Sequence, residues 1–201
     1  DEFETNVKGV EFLHLIEKKK ELPPSLIVTI GTGTSMVSKK DLIKHVGGTA
    51  IGGGFFMGII KALFNIYDFE KTLSLAKDGN RYEVDLKVSD IYDPLDKRVN
   101  MLFREFTAAS LGKIDLLYNL NNLRKEDFIN SLICMIGENI GTIANLMAEI
   151  NTLQNIVFCG GFLKNNKILR KMLSTLCRVN RKKAIFLNNS EYSAAIGALV
   201  I

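Results

Sequence analysis

Three glycine-containing turns carry the residues of this sequence that could do chemistry. The first, I-G-T-G-T-S at residues 30–35, follows an apolar run and offers two glycines and three hydroxyl side chains. Because glycine has no Cβ, a bound group can come close to the main chain, and the amides and hydroxyls can donate to phosphate oxygens. A tight hairpin uses the same residue types, so this turn alone indicates either a hairpin or an anion site.

Two further turns repeat the pattern. The run G-G-T-A-I-G-G-G at residues 47–54 ends at the predicted start of a helix, where free amides and the helix dipole favour an anion. The run V-F-C-G-G-F at residues 157–162 places two glycines directly after a predicted buried strand. Three such turns in one chain predict a nucleotide cleft, and we expect Gly31, Gly53 and Gly160 to face it together.

The turns match neither of two common nucleotide-binding motifs. The pattern G-x-x-x-x-G-K-[ST] does not occur, and no turn has dinucleotide-binding spacing with an acidic residue about 20 positions later. His14 and His45 stand in no metal-binding spacing, and Cys134, Cys159 and Cys177 are far apart in apolar surroundings. The sequence therefore predicts no protein-ligated metal and no disulfide, and it requires another phosphate-binding architecture.

The pattern of apolar residues predicts the elements that would hold these turns. Helical periodicity indicates helices, and short apolar or β-branched runs between turn residues indicate strands. The predicted helices cover residues 7–16, 55–66, a short segment from 68, 126–150, 165–178 and 192–199. The predicted strands cover residues 26–30, 35–37, 42–46, 156–159 and 184–187, with a loop at Asp93 and Pro94. Because strands and helices alternate, we expect an α/β fold with a mixed sheet and a long central helix.

That long helix has an apolar seam and two glycines four residues apart. The seam consists of Phe128, Leu132, Ile136, Ile140, Ile143, Met147 and Ile150. Gly137 and Gly141 indicate either ordinary core packing or the close approach of a neighbouring backbone. We expect the helix to form the domain core and part of a two-fold interface.

Composition limits the classes of function. The chain has 201 residues, 47% hydrophobic content and a net charge of +4, which predicts a folded globular protein. Its two basic clusters are not interleaved with aromatic residues, so no nucleic-acid partner is indicated. No apolar run approaches the roughly 18 residues needed to cross a bilayer, so no membrane partner is expected either. Reduced cysteines favour a cytoplasmic location.

Eight segments, in this order, together resemble the type II pantothenate kinases of eukaryotes and staphylococci. The segments are D-E-F-E-T-N-V-K-G, I-G-T-G-T-S, K-H-V-G-G-T-A-I-G-G-G, S-D-I-Y-D, F-T-A-A-S-L-G, E-N-I-G-T-I-A, V-F-C-G-G-F-L-K-N-N and E-Y-S-A-A-I-G-A-L. The resemblance covers essentially the whole chain. It implies an actin/hexokinase (ribonuclease H-like) ATPase-type lobe, ATP with Mg²⁺, phosphorylation of pantothenate at its hydroxyl, and a homodimer. It also makes coenzyme A or acyl-CoA a candidate inhibitor.

The same resemblance implies roles for individual residues. Glu2 matches the family's catalytic glutamate, which would accept the proton of the pantothenate hydroxyl. Thr32 and Ser35 lie where the family has hydroxyl side chains between substrate and phosphates. The glycines that match the family's nucleotide-binding turns are Gly31, Gly33, Gly52, Gly53, Gly54, Gly160 and Gly161. The residues that match a pantothenate-lining segment, contributed in the family by the partner subunit, are Thr107, Ala108 and Ala109.

Two departures from the family pattern bear on function. His45 stands where the family has an arginine for the pantothenate carboxylate, and neither it nor the adjacent Lys44 reproduces a bidentate guanidinium. The family's D-x-G-G-T phosphate loop is not among these residues, so we expect weak or no activity from them alone. We accordingly expect residues 1–24 to be a helical connector from an N-terminal lobe. Residues 25–201, with a helical region at 55–150, would then form the C-terminal kinase lobe.

Two alternatives remain open at this point. One is a kinase of the same fold for another small hydroxyl substrate, which the histidine at position 45 favours. The other is a non-catalytic subunit that binds a nucleotide or coenzyme A, which the missing phosphate loop favours. The sequence encoded upstream of Asp1 discriminates between them, because a D-x-G-G-T after an apolar strand would favour the enzyme.

Overall fold

The computed structural model describes residues 1–92, 106–116 and 120–200. The helices of this part of the chain are α1 (Glu2–Lys18), α2 (Gly53–Phe64), α3 (Phe69–Lys77), α4 (Val88–Ile91), α5 (Gly112–Leu116), α6 (Lys125–Ile150), α7 (Lys167–Val179) and α8 (Ser193–Val200). The strands are β1 (Ser25–Ile30), β2 (Thr34–Lys39), β3 (Ile43–Thr49), β4 (Leu86–Lys87), β5 (Thr107–Ala109), β6 (Asn155–Cys159) and β7 (Lys183–Phe186). The predicted loop at Asp93 and Pro94 lies outside the described residues.

The five predicted strands and the predicted helices are present, with shifted ends. The largest shift is at α1, which begins at Glu2 rather than at residue 7, because the Asp1 side chain caps it by accepting from the Phe3 amide at 3.1 Å. Strand β3 continues to Thr49, so Gly47 and Gly48 belong to a strand and not to the turn that follows. Strands β4 and β5 were not predicted, because they are two and three residues long and show no periodicity.

The main sheet has the strand order β3-β2-β1-β6-β7. Strand β2 runs antiparallel to β1 and β3, whereas β1, β6 and β7 are parallel to one another. The sheet is therefore mixed, and its antiparallel strand lies next to the central strand β1. The predicted α/β class with a mixed sheet and a long helix is therefore confirmed.

The described chain divides into two compact units, residues 1–59 with 136–201 and residues 60–135. In the first unit, α1 packs on one face of the main sheet. The buried cluster there includes Val7, Val10, Leu13, Ile27, Val37, Val157 and Ile185. Helix α8 crosses α1 so closely that a Cβ on Gly9 would overlap with the Ser193 carbonyl oxygen, and one on Gly197 with the Thr5 carbonyl oxygen. The predicted boundary between residues 24 and 25 stays a prediction.

The buried stripe of α6 differs from the predicted seam in its second half. Ile136 and Ile140 are fully buried as predicted, but the stripe continues through Ala144 and Ala148, and Ile150 is 74% exposed. Steps of four residues lie close to the helical period, so Ala144 and Ala148 continue the buried stripe. They were not predicted because the seam was defined by large apolar side chains. By length and composition α6 is the one described helix that could cross a membrane, but 61% of that stretch is buried inside the protein.

The two glycines of α6 face α7. A Cβ on Gly137 would lie 3.0 Å from the Leu169 side chain and 3.1 Å from that of Met172. A Cβ on Gly141 would lie 2.6 Å from the Leu176 side chain. These glycines make room for apolar side chains, which is the ordinary core packing that the sequence allowed.

Candidate functional site

The three glycine turns meet at the end of β1. The Gly53 amide donates to the Gly31 carbonyl oxygen at 2.7 Å, and the Gly54 amide donates to the Thr32 carbonyl oxygen at 2.9 Å. A Cβ on Gly160 would lie 2.5 Å from the carbonyl oxygen of Ile30, the last residue of β1. The prediction that the turns come together is confirmed.

The glycines of these turns differ in what surrounds them. A Cβ on Gly52 would lie within 3 Å of three carbonyl oxygens of the first turn, and Gly160 has a φ of 104° in addition to its contact with Ile30. Those glycines allow backbone to touch backbone. A Cβ on Gly31 or Gly161, in contrast, would meet nothing within 4 Å, so these two leave open space beside the main chain.

The expected free amides at the start of α2 are partly used by the protein itself. Gly53 and Gly54 donate to the first turn, as described above, so for these two residues the expectation of free donors is wrong. Their amides fasten the second turn to the first. The space next to Gly31 and the exposed Gly161 is what the turns leave for a ligand.

The hydroxyl side chains of the first turn differ in their surroundings. The Thr34 hydroxyl is buried and donates to the Ile51 carbonyl oxygen at 2.8 Å, which joins the first two turns. Thr32 is exposed, and Ser35 is half-buried in β2 opposite Thr29 and Gly48. Thr34 is therefore structural, and the two hydroxyls singled out by the family resemblance are the more accessible ones.

The start of α1 lies against β3. The ring of Phe3 stacks on the imidazole of His45, with centroids 4.4 Å apart and an angle of 23° between the planes. Glu2, the residue before Phe3, is exposed in the first turn of α1, and His45 and Lys44 are exposed in β3. The structure therefore places the first turn of α1, which carries Glu2, against the strand that carries His45.

A buried polar network lies one helical turn further along α1. The Asn6 side chain donates to the Thr29 hydroxyl at 2.6 Å and accepts from the Ser193 hydroxyl at 2.5 Å. The Thr29 hydroxyl lies 3.3 Å from the Cys159 sulfur, just before the third turn. Asn6 was not predicted from the sequence, although it shares a helix face with Gly9, Val10 and Leu13, which could have indicated that it is buried.

The segment of Thr107, Ala108 and Ala109 belongs to the second unit. It forms β5, which pairs with β4 so that Ala109 lies opposite Leu86 and Thr107 opposite Lys87. Ala108 and Ala109 are exposed. The Thr107 hydroxyl oxygen is buried and has no hydrogen-bond partner in the part of the chain that the structure describes.

A buried carboxylate holds the turn after β5. Asp85 is fully buried and accepts from the Arg81 guanidinium at 2.6 Å, from the Ser131 hydroxyl at 2.5 Å and from the Leu111 amide at 2.8 Å. Three donors satisfy a carboxylate that would otherwise be costly to bury. Asp85 thus ties the turn that follows Ala109 to Ser131, in the second turn of α6.

The described side chains form no cluster of three metal ligands, and two of the cysteines are buried thiols with raised pKa values. Across residues 1–92, 106–116 and 120–200, no three His, Cys, Asp or Glu side chains converge. Mg²⁺ commonly binds through substrate phosphates, water and one or two carboxylates, so a metal that arrives with a nucleotide needs no such cluster. Burial raises the pKa of Cys159, and it raises the pKa of Cys177 to about 11, so both stay protonated thiols near neutral pH.

Comparison with known proteins identifies the family. Residues 1–201 match the Fumble family. A type II pantothenate kinase from Bacillus cereus (strain G9842) is 33% identical over 202 residues, covering 100% of this chain and 71% of that protein. The type II pantothenate kinase of Oceanobacillus iheyensis is 35% identical over 205 residues, covering 99% of this chain and 72% of that protein. Among solved structures, glucokinase from Balamuthia mandrillaris in complex with glucose aligns with a TM-score of 0.49 and 13% identity, covering 100% of this chain and 64% of that chain. The chain belongs to the Fumble family of type II pantothenate kinases.

Proposed function

We propose that this protein transfers the γ-phosphate of ATP to the hydroxyl of pantothenate, giving 4'-phosphopantothenate in the first step of coenzyme A biosynthesis. The observation that carries the proposal is that a chain matching the family over residues 1–201 assembles its three glycine turns at the end of one strand. A cytoplasmic location agrees with this role.

Glu2 is the proposed general base. A carboxylate at the exposed start of α1 can accept the proton of a hydroxyl that attacks the γ-phosphate. Thr32 and Ser35 would contact the substrate and the phosphates.

The glycine turns are the proposed nucleotide site. Gly31 and Gly161 leave open space for ATP, whereas Gly33, Gly52, Gly53, Gly54 and Gly160 permit the backbone contacts that shape it. Bound Mg²⁺ would neutralise charge on the phosphates, with ligands from ATP and water as well as protein.

The pantothenate end of the site rests on two segments. His45, supported by its stack on Phe3, would face the carboxylate, with Lys44 adding positive charge nearby. Thr107, Ala108 and Ala109 would line the pantothenate pocket of a partner subunit in a homodimer. Within the described residues, the buried Thr107 hydroxyl makes no hydrogen bond, so it could donate to a ligand. Coenzyme A or acyl-CoA as an inhibitor is part of the same proposal.

The test is Glu2→Gln in the gene product that contains these 201 residues. The amide keeps the shape but cannot take the proton, so we expect kcat to fall about 10²- to 10⁴-fold with little change in ATP binding. Glu4→Gln is the matched control, because Glu4 is exposed in the same first turn. Equal turnover for Glu2→Gln and the unmodified protein would exclude Glu2 as the base.

A second candidate function is phosphorylation of another small hydroxyl substrate, and the observation that favours it is His45. We expect His45→Arg to lower the KM for pantothenate without much change in kcat, because a guanidinium binds a carboxylate with two hydrogen bonds and can stack on Phe3. Weaker use of pantothenate by this variant would favour the other substrate. ATP or coenzyme A binding without turnover of any hydroxyl substrate would instead favour the non-catalytic subunit.

A further inference from the structure

The first turn of α1 is fastened by a buried amide that the proposed function does not use. Asn6 is 7% exposed, and both ends of its side-chain amide are occupied. Its nitrogen donates to the Thr29 hydroxyl at 2.6 Å, and its oxygen accepts from the Ser193 hydroxyl at 2.5 Å. Both polar ends of the amide are therefore hydrogen-bonded, one to β1 and one to α8.

The network joins four elements that hold the candidate site. Asn6 belongs to α1, Ser193 to α8 and Thr29 to β1, and the Thr29 hydroxyl lies 3.3 Å from the sulfur of Cys159 in β6. Thr29 is two residues before Gly31, and Cys159 directly precedes Gly160. The amide therefore connects the start of α1 to the strand ends from which two of the glycine turns begin.

A close helix crossing makes the network possible. Ser193 reaches Asn6 because α1 and α8 touch through Gly9 and Gly197, where any Cβ would overlap with a carbonyl oxygen of the other helix. The distance between the two helices is thereby set by backbone contact. The hydroxyl donor is thus held within reach of Asn6.

We propose that Asn6 is a positioning residue for Glu2, an inference that rests on the proposed function. The two residues are four apart on α1 and share one face of the helix. Glu2 is exposed, so buried contacts of its own do not set its direction. Asn6 fixes the helical turn that carries Glu2 relative to β1, and a misplacement of about 1 Å in an active site can cost about 10²-fold in rate.

The experiment uses two variants that remove the hydrogen bond between Asn6 and Thr29 and one variant that keeps it. Asn6→Leu and Thr29→Val retain side-chain size but lose the hydrogen bond between these residues, whereas Thr29→Ser keeps the hydroxyl. We expect the first two to lower kcat about 10- to 100-fold with unchanged KM for ATP, and Thr29→Ser to stay within about 3-fold. Circular dichroism and thermal unfolding establish the folded fraction to which each rate is normalised.

A double-mutant cycle separates positioning from a merely structural role. In the Glu2→Gln background no base remains to be positioned, so Asn6→Leu should cause no further loss of rate. The same fold-loss in both backgrounds would overturn the proposal, and so would unchanged kcat in both Asn6→Leu and Thr29→Val. If Asn6→Leu does not fold, Thr29→Val takes its place in the cycle.

The two proposals fail in different ways. If Glu2→Gln keeps full turnover, the base is wrongly assigned, and the role of Asn6 fails with it. If Glu2→Gln is inactive but the variants of the network turn over normally, the proposed function stands and only the inference about Asn6 is overturned.

Discussion

The two compact units of this chain bury polar side chains in contrasting ways. In residues 1–59 with 136–201, the buried Asn6 and Ser193 form a neutral network with the half-buried Thr29, and close glycine contacts set the distance between α1 and α8. In residues 60–135, the buried centre is an ion pair between Asp85 and Arg81 with further donors to the same carboxylate. The first unit thus pairs its buried polar groups through neutral hydrogen bonds, and the second unit pairs them through opposite charges.

The contrast shows which changes each unit should tolerate. A buried ion pair whose carboxylate is removed leaves a charge in a poor environment, so the second unit should respond most to changes of charge. In the first unit, the loss of one neutral hydrogen bond should cost less stability than the loss of a buried charge partner. The glycine contact between α1 and α8, however, leaves no space for a larger side chain. The first unit should therefore respond most to changes of size.

The largest expected effect tests the charged centre. Asp85→Ala removes the carboxylate from Arg81, Ser131 and the Leu111 amide, and should lower the free energy of unfolding by about 3–5 kcal/mol. Urea denaturation followed by circular dichroism measures it. Asp115→Ala, an exposed carboxylate in α5, is the control and should stay within about 0.5 kcal/mol. Similar losses for the two variants would remove the charged half of the comparison.

The next effect tests the size limit of the first unit. Gly197→Ala places a methyl group where the Thr5 carbonyl oxygen already lies, so α1 and α8 must move apart. Overpacking of this kind costs about 1–3 kcal/mol, and the separation should also weaken the hydrogen bond between Asn6 and Ser193. Denaturation midpoints measure the first effect and kcat the second. An unchanged denaturation midpoint would show that α1 and α8 can move apart without a loss of stability.

The third effect is a dependence of stability on pH that arises from Cys177, a buried neutral thiol of the first unit. Burial raises the pKa of Cys177 from 9.0 to about 11, against a smaller opposing effect of the Asn145 amide. Between these values the unfolded thiol has lost its proton and the folded one keeps it, so stability falls as pH rises from 9.0 to about 11. The slope should approach about 1.4 kcal/mol per pH unit.

Cys177→Ala isolates that slope. The variant loses packing at every pH, but it lacks the thiol that titrates, so its stability deficit relative to the unmodified protein should narrow as pH rises through this window. Denaturant unfolding at several pH values gives the two curves. Parallel curves would show that the thiol does not contribute to the pH dependence.

The smallest expected effect has the opposite sign. Gly58 lies within α2, and a Cβ on it would meet nothing within 4 Å. Gly58→Ala should raise the free energy of unfolding by about 0.5–1 kcal/mol, because alanine loses less backbone entropy in a helix. It is also the control for Gly197→Ala, since both are helical Gly→Ala changes and only one meets a neighbouring backbone. Destabilisation by Gly58→Ala would contradict the open space at that position.

The sequence predicted the elements better than the contacts between them. Apolar runs identified β1, β6 and α6, and the glycine spacing correctly predicted that Gly31, Gly53 and Gly160 come together. These features depend on local periodicity and on backbone freedom, both of which are visible in a short stretch of sequence.

The parts that were missed depend on partners distant in the chain. The amides of Gly53 and Gly54 could not be assigned to the first turn without knowing how the turns pack. Asn6 is an ordinary polar residue in a helix until α8 lies against it. The segment around Asp85 contains too few residues per element for periodicity to act as a guide.

The hydrogen bond between Asn6 and Ser193 joins residues 187 positions apart, and β1 pairs with β6 across a comparably long separation. Contacts of such high order slow folding, because the loop between the partners must be closed before the contacts can form. During synthesis on the ribosome, α1 and β1 leave the exit tunnel long before α8 does. We therefore expect α1 to lack its hydrogen bond to Ser193 until α8 has been synthesised and has docked.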